Sequence, residues 1–213
     1  LLEQFREMEF RGWIRELENG DGDQPADAGS DQGTPAAPAS TDYHTVLDQP
    51  ALDAWLKALR DAPAFAFDTE TTSLNYMAAE IVGIAVAVEP GEAAYIPVGH
   101  RYPGAPDQLD RDWVLAQLKP LLEDTTPSKI GQHLKYDMNV LANYGITLQG
   151  VRHDTMLESY VLDSTATRHD MDSLALKYLG RKTVKFEDVA GKGAKQLTFD
   201  QVALEEATEY AAE

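Results

Sequence analysis

The stretch Ala64-Phe65-Ala66-Phe67-Asp68-Thr69-Glu70 decides the fold: it alternates as a strand does and ends in two acids. Successive strand side chains point to opposite faces, so Asp68 and Glu70 share one face and Thr69 points to the other. Two like charges on one face repel, and apolar neighbours make ionisation harder. A positive group belongs between them, and oxygen-only ligands suit a hard divalent cation. An Asp-x-Glu pair alone is a weak signal, since acidic pairs also end solvated strands.

Around this strand the pattern alternates between β and α. A short strand is expected at 43–47. Leu52, Trp55, Leu56 and Leu59 form one helical face, closed by Pro63. Strands follow at 64–69, 80–88 and 93–98, with Pro90-Gly91 as turn material. A helix at 111–122 presents Val114, Leu115, Leu118 and Leu121, with Pro120 bending its last turn. A brief strand at 129–131 leads into a helix at 135–143 that Gly145 ends. Another helix runs over 154–163. Asp172 is the expected cap of a helix carrying Leu174, Leu176 and Leu179, stopped by Gly180. A last helix opens at 198–200 and is still running at Glu213. The succession predicts an α/β domain with a mixed central sheet flanked by helices.

Ahead of it, residues 1–18 read as a short amphipathic helix with Phe5, Phe10, Trp13 and Leu17 among charges. Residues 19–41 are rich in Gly, Asp, Ala, Pro, Ser and Gln, the composition of a disordered linker. The globular domain is expected over 42–213. A first residue that is not Met, and a last helix with no stop signal, lead to the expectation of a piece cut from a longer protein.

The chain has 213 residues and a formal net charge of −18. That charge argues against a nucleic-acid partner until its distribution is read. Between Lys129 and Lys195 stand 10 Lys and Arg against 8 Asp and Glu; the remainder carries 8 against 28. The basic residues thus gather beside the later motifs, in an excess too small to hold DNA alone. No Cys is present, which removes disulfides and thiolate metal sites. The longest apolar run, 81–88, is a strand's length and contains Gly83, so no membrane partner is expected. The five His lack zinc spacing, and there is neither a P-loop nor a dinucleotide fingerprint.

Further motifs follow the first in order. Gly131-Gln132-His133-Leu134-Lys135-Tyr136-Asp137 brings a turn glycine, a cation and a third acid to a helix start, and runs on through Asn143-Tyr144-Gly145. Then come His153-Asp154-Thr155-Met156-Leu157-Glu158-Ser159-Tyr160, Arg168-His169-Asp170-Met171-Asp172-Ser173-Leu174, Ala190-Gly191-Lys192-Gly193, and Glu209-Tyr210-Ala211-Ala212-Glu213. Together with Phe65 to Thr71, over 42–213, this set resembles the proofreading 3′-5′ exonuclease domain of bacterial DNA polymerase I. That family lies within the DEDD superfamily and has a ribonuclease H-like fold. Residues 1–18 then resemble the end of the preceding 5′-nuclease region.

The resemblance implies a phosphodiester hydrolase, a 3′-5′ exodeoxyribonuclease acting in DNA replication and repair, with the polymerase active site elsewhere in the full-length chain. It implies two divalent ions, Mg²⁺ or Mn²⁺, held by four carboxylates. Asp68 would bridge both, Glu70 would bind one and help place the attacking water, and Asp137 would support the second through water. Tyr210 would orient the nucleophilic water. Such ions, about 3.5–4 Å apart, stabilise the attacking and leaving oxygens together. The fourth carboxylate would be an Asp one turn after Tyr210, at position 214. Glu213 is rotated by about 100° from that place, so the chain as given is expected to be impaired.

The DNA contacts implied are Leu74 wedged beside the terminal base, Phe186 stacked on single-stranded DNA, Thr71 near the 3′-OH, and Gln132, Tyr136 and Arg168 on the backbone. His133 replaces the Asn frequent in the family and keeps a donor for a phosphate. The partners implied are a frayed or single-stranded DNA 3′ end and a polymerase domain, and the location the bacterial cytoplasm, at the nucleoid.

Plainer readings stand beside these. Glu70 could be a surface acid, Asp137 a first-turn residue, and Leu74 and Phe186 packing residues. Asp154, Asp170 and Asp172 read as caps. Lys192 and Lys195 serve equally as DNA contacts or solvated loop residues. Competing functions are a non-catalytic module that spaces domains or holds single-stranded DNA, and a 3′ exoribonuclease of the same superfamily.

Overall fold

β2 (Ala64–Thr71) buries Phe65 and Phe67 on one face and turns Asp68 and Glu70 to the other, as its alternation requires. The computed structural model describes residues 41–165 and 168–213. The segments expected at 1–18 and 19–41 lie outside the described residues, Thr41 excepted.

The other strands are β1 (Asp42–Thr45), β3 (Ile81–Glu89), β4 (Glu92–Pro97), β5 (Ser128–Gly131) and β6 (Val151–Asp154), in the order β1-β4-β3-β2-β5-β6. β3 runs antiparallel to β2 and β4, while the pairs β1–β4, β2–β5 and β5–β6 are parallel. This is the expected mixed sheet. β3 is apolar from Ile81 to Val88 because both its faces are covered over most of that length.

One face carries α1 (Gln49–Asp61), α2 (Arg111–Leu122) and α3 (Lys135–Ala142). Leu52, Leu56, Leu59, Val114, Leu118, Val140 and Leu141 pack there with Phe65, Phe67, Ile84 and Val86. Asp48 and Asp110 cap α1 and α2 by accepting the Ala51 and Trp113 N–H groups. The other face carries a smaller cluster of Val82, Tyr95, Ala190, Phe199, Val202, Leu204 and Ala207. Its helix, α7 (Leu204–Ala212), lays Ala207 and Ala212 against the sheet, and Thr208 hydrogen-bonds Thr45 through their hydroxyls at 2.7 Å. Small residues let this helix approach closely.

Several expectations need correction. The segment 198–213 is two elements: a 3₁₀ turn, Phe199–Gln201, and then α7, separated by extended Val202 and Ala203. Thr198 looked like a helix cap because it does cap a turn, with Gln201 returning the bond. The helix read at 154–163 stands as α4 (Thr155–Leu162), capped by Asp154, but the strand before it, β6, was not expected. Asp170, and not Asp172, caps α5 (Met171–Leu174), which continues as a π-helix, Ala175–Leu179, before Gly180 at φ 64° ends it. Asp172 instead accepts a bond from the Thr183 hydroxyl. A short α6 (Phe186–Ala190) had no sequence signal. Lys129, counted among the basic residues, is fully buried, donating to the Asp124 carbonyl and lying over the Phe65 ring.

Candidate active site

β2 is longer than its neighbour. β5 pairs only with Ala64 to Ala66, which leaves the acidic end of β2 without a partner on that side. Gly131 closes β5, and a Cβ there would collide with Leu134 and the Phe67 carbonyl. The chain then passes through His133 at φ 58°, a left-handed position that Asn, Asp and His occupy more readily than most residues. The backbone at this position therefore suits a His or an Asn alike. Asp154, expected as a cap, is one for two helices. It accepts from the Met156 and Leu157 N–H groups of α4 and from the His133 and Leu134 N–H groups that open α3. α3 is thereby held so that Asp137 reaches the open edge of β2.

Asp68 and Glu70 line a cavity of about 400 Å³ between the sheet, α5 and α7. Its floor is made of Ala66, Ala85, Ala87 and Ala93, and Tyr210 and Glu213 reach it from the end of α7. Gly83 is paired with Glu70, and the Tyr95 ring lies across it where any Cβ would clash. Tyr210 packs against Phe199 and Phe186, at ring separations of 5.7 and 6.1 Å. The turn carrying Phe199 is pinned from behind. His100 gives its Nδ1–H to the Val202 carbonyl at 3.0 Å, which leaves Nε2 to accept the Tyr95 hydroxyl at 2.8 Å. Burial lowers the His100 pKa and keeps that ring neutral.

The acids are set in surroundings that oppose ionisation. Burial and then the Asp137 charge push the Asp68 carboxyl up to about 8. Burial, then Asp68 and Asp137, raise Glu70 well above its ordinary value. Asp137 is raised to about 6, again by burial first, with the Thr69 hydrogen bonds acting in the opposite direction. Tyr210 is raised by burial, then by Glu70 and Asp68. Among the described residues no Lys, Arg or His forms an ion pair with these carboxylates.

Asp68, Glu70 and Tyr210 are therefore brought to one cavity. Asp137 stands beside it and is drawn away: its Oδ1 accepts both the N–H and the hydroxyl of Thr69, at 3.0 and 2.5 Å. Accordingly, among the described residues no three acidic or His side chains converge closely enough to hold an ion as placed. The donor set nonetheless fits a hard cation. It consists of oxygen ligands only, Asp137 buried and Asp68 and Glu70 half-buried, mutually repelling and, among the described residues, in no ion pair with a protein cation. Glu213 is committed elsewhere, to Arg181 at 2.9 Å and to the Val184 N–H.

Of the remaining expected residues, Gln132 alone is in the cavity's lining. Leu74 is 94 % exposed on the loop after β2. That loop is tied to α3: the Tyr136 hydroxyl meets Thr71 Oγ1 and donates to the Ser73 carbonyl, both at 2.5 Å, and Asn143 donates to the Tyr76 carbonyl. Gln132 lines the cavity and donates to the His169 carbonyl at 2.8 Å. His133 is exposed, its Nδ1 3.1 Å from Met156 Sδ. Arg168 is exposed and paired loosely with Asp170. Phe186 is 37 % exposed and stacks on Phe199 at 6.3 Å, so one of its faces is already used. The residues that sequence reasoning missed are Thr69 and Arg181. Their partners lie 68 and 32 positions away, and no local pattern announces them.

A family model described as 3′-5′ exonuclease matches residues 43–213. The chain is 57 % identical along its whole length to DNA polymerase I of Pseudomonas aeruginosa, of which it spans 23 %. Among solved structures, Trypanosoma brucei RNase D aligns with 80 % of this chain and 59 % of its own, at a TM-score of 0.61 and 17 % identity. Brucella melitensis NrnC with bound Mg²⁺ aligns with 81 % of this chain and 73 % of its own, at a TM-score of 0.51 and 23 % identity. These likenesses give a ribonuclease H-like α/β fold. Among the described residues no helix is long and apolar enough to cross a membrane. The chain belongs to the metal-dependent 3′-5′ exonuclease family, as the exonuclease domain of the DNA polymerase I type.

Proposed function

We propose that this domain removes nucleoside 5′-monophosphates from the 3′ end of single-stranded or frayed DNA, as the proofreading step of a DNA polymerase I. The observation that carries the reading is the sharing of one cavity by Asp68, Glu70 and Tyr210, with Asp68 and Glu70 in no ion pair among the described residues while the cavity's Arg181 is taken up by Glu213. Asp68 and Glu70 would hold two divalent ions, Mg²⁺ or Mn²⁺, with Asp137 supporting one of them through water. Bound there, such ions supply charge stabilisation to the attacking and leaving oxygens of an in-line displacement.

The chain's own groups do the placing. Tyr210 keeps its proton, since burial and two neighbouring carboxylates raise its pKa, so its hydroxyl orients a water and is no general base. The Phe199–Phe186 packing fixes where that hydroxyl points. Leu74, on a loop held by Tyr136, is available to separate the terminal base from its neighbour, and the free face of Phe186 to stack on a second base. Thr71, Gln132, His133 and Arg168 would supply contacts to the terminal nucleotide and backbone, Gln132 from the cavity wall itself. A frayed end frees its terminal nucleotide to enter the cleft, and mismatched ends fray at lower cost.

The domain 42–213 would work beside the polymerase domain of a longer cytoplasmic, nucleoid-associated chain, with 1–18 closing a preceding 5′-nuclease region and 19–41 linking the two. The test is release of mononucleotides from 5′-labelled oligonucleotides in Mg²⁺. Asp68→Ala is expected to abolish cleavage while DNA binding survives. Cleavage unaffected by that change overturns the reading, and faster cleavage of matched RNA than of DNA moves the substrate to RNA.

A further inference from the structure

Thr69 stands between the two acids in sequence but on the opposite face of β2, and it is buried at 6 % exposure. β5 has already left β2 at this height. The Thr69 N–H and hydroxyl are both given to a single oxygen, Asp137 Oδ1. The terminal torsion of an aspartate is broad, so an unheld carboxylate samples many orientations. Two donors on one oxygen remove that freedom, and donors to a charged acceptor form the stronger class of hydrogen bond. Among the described residues no other side chain hydrogen-bonds this carboxylate.

We propose that Thr69 is a positioning residue for Asp137. Its paired donors hold one carboxylate oxygen at the open edge of β2, so that Asp137 contacts the Asp68–Glu70 site through water and not as a direct ligand. The proposal rests on the ion-binding reading of Asp68, Glu70 and Asp137 given above. It accounts for why Asp137 lies beside the cavity without lining it. It also gives the middle residue of the Asp-Thr-Glu motif a task that alternation alone hides.

The test is a double-mutant cycle on the 213-residue chain. T69V keeps the branched shape and the N–H but loses the hydroxyl; T69S keeps the hydroxyl; D137N weakens the acceptor. Two quantities are read: Mn²⁺ affinity, from the electron paramagnetic resonance of free Mn²⁺ without DNA, and kcat and KM on a single-stranded oligonucleotide. T69V is expected to weaken Mn²⁺ binding and lower kcat by about tenfold, with KM within about twofold. T69S is expected to stay near wild type, and in the D137N background T69V is expected to add less than about twofold. The proposal fails if T69V matches wild type, if T69S is as damaged as T69V, or if T69V causes the same loss with and without D137N. Thermal melts check folding, and T69A replaces T69V in the cycle if the valine variant does not fold. Failure of the underlying reading looks different: Mn²⁺ affinity is then unchanged by D68A as well.

Discussion

Replacing Asp68 by Asn should make the metal-free protein more stable at alkaline pH. The native state binds a proton at Asp68 up to about pH 8, whereas an ordinary Asp releases it near 3.8. Between those values the folded protein holds more protons than the unfolded one, so stability is highest below the lower value and falls as pH rises through the window. For a full shift of that size the loss reaches a ceiling of about 6 kcal/mol. Water entering the cavity, and sharing of the burden with Glu70 and Asp137, reduce the expected gain for D68N to about 1–3 kcal/mol. In a domain of this size that corresponds to about 3–10 °C in Tm. Thermal unfolding in EDTA should show D68N above wild type at pH 8, with the difference closing near pH 4. Excess Mn²⁺ should raise wild type more than D68N, because only wild type keeps the full ligand set. A D68N protein no more stable than wild type at pH 8 in EDTA would refute the argument that this site stores electrostatic repulsion.

Tyr210→Phe keeps the ring contacts with Phe186 and Phe199 and should lower kcat by about 10–100-fold while leaving Mn²⁺ affinity intact; isothermal titration beside the cleavage assay checks both. Leu74→Ala removes a side chain with almost no packing, so stability should move by less than about 0.5 kcal/mol while KM for frayed ends rises. An unchanged KM would return Leu74 to the class of surface residues. Arg181→Ala removes the bonds that tie Glu213 and Tyr43 to the segment after α5. Tm should fall by a few degrees, corresponding to about 1–2 kcal/mol, and hydrogen exchange should quicken at the end of α7.

The part of this site legible from sequence is the part with a period. Phe65 and Phe67 against Asp68 and Glu70 is a strict two-residue alternation, and it placed the core and the carboxylates on the correct faces. Helix α2 was equally clear, since Val114, Leu115, Leu118 and Leu121 recur at helical spacing. β6 was hidden because it is four residues long with three polar side chains, Arg152, His153 and Asp154, and its pairing with β5 is a tertiary event. The break at Val202 and Ala203 was hidden because neither residue forbids a helix. There the His100 bond to the Val202 carbonyl outweighs local propensity. Lys129 was misjudged for the same reason: nothing nearby in sequence shows that Asp124 and the Phe65 ring will enclose it. Thr69 was visible only as a residue facing away from the acids. Its use depends on α3 folding back to the open edge of β2.

The most direct measurement is the anomalous scattering of manganese in crystals of this domain. The account predicts density in contact with the carboxylate oxygens of Asp68 and Glu70, with Asp137 joined to it through water and still bonded to Thr69. Carboxylates turned apart, with no anomalous peak among them at millimolar Mn²⁺, would contradict it.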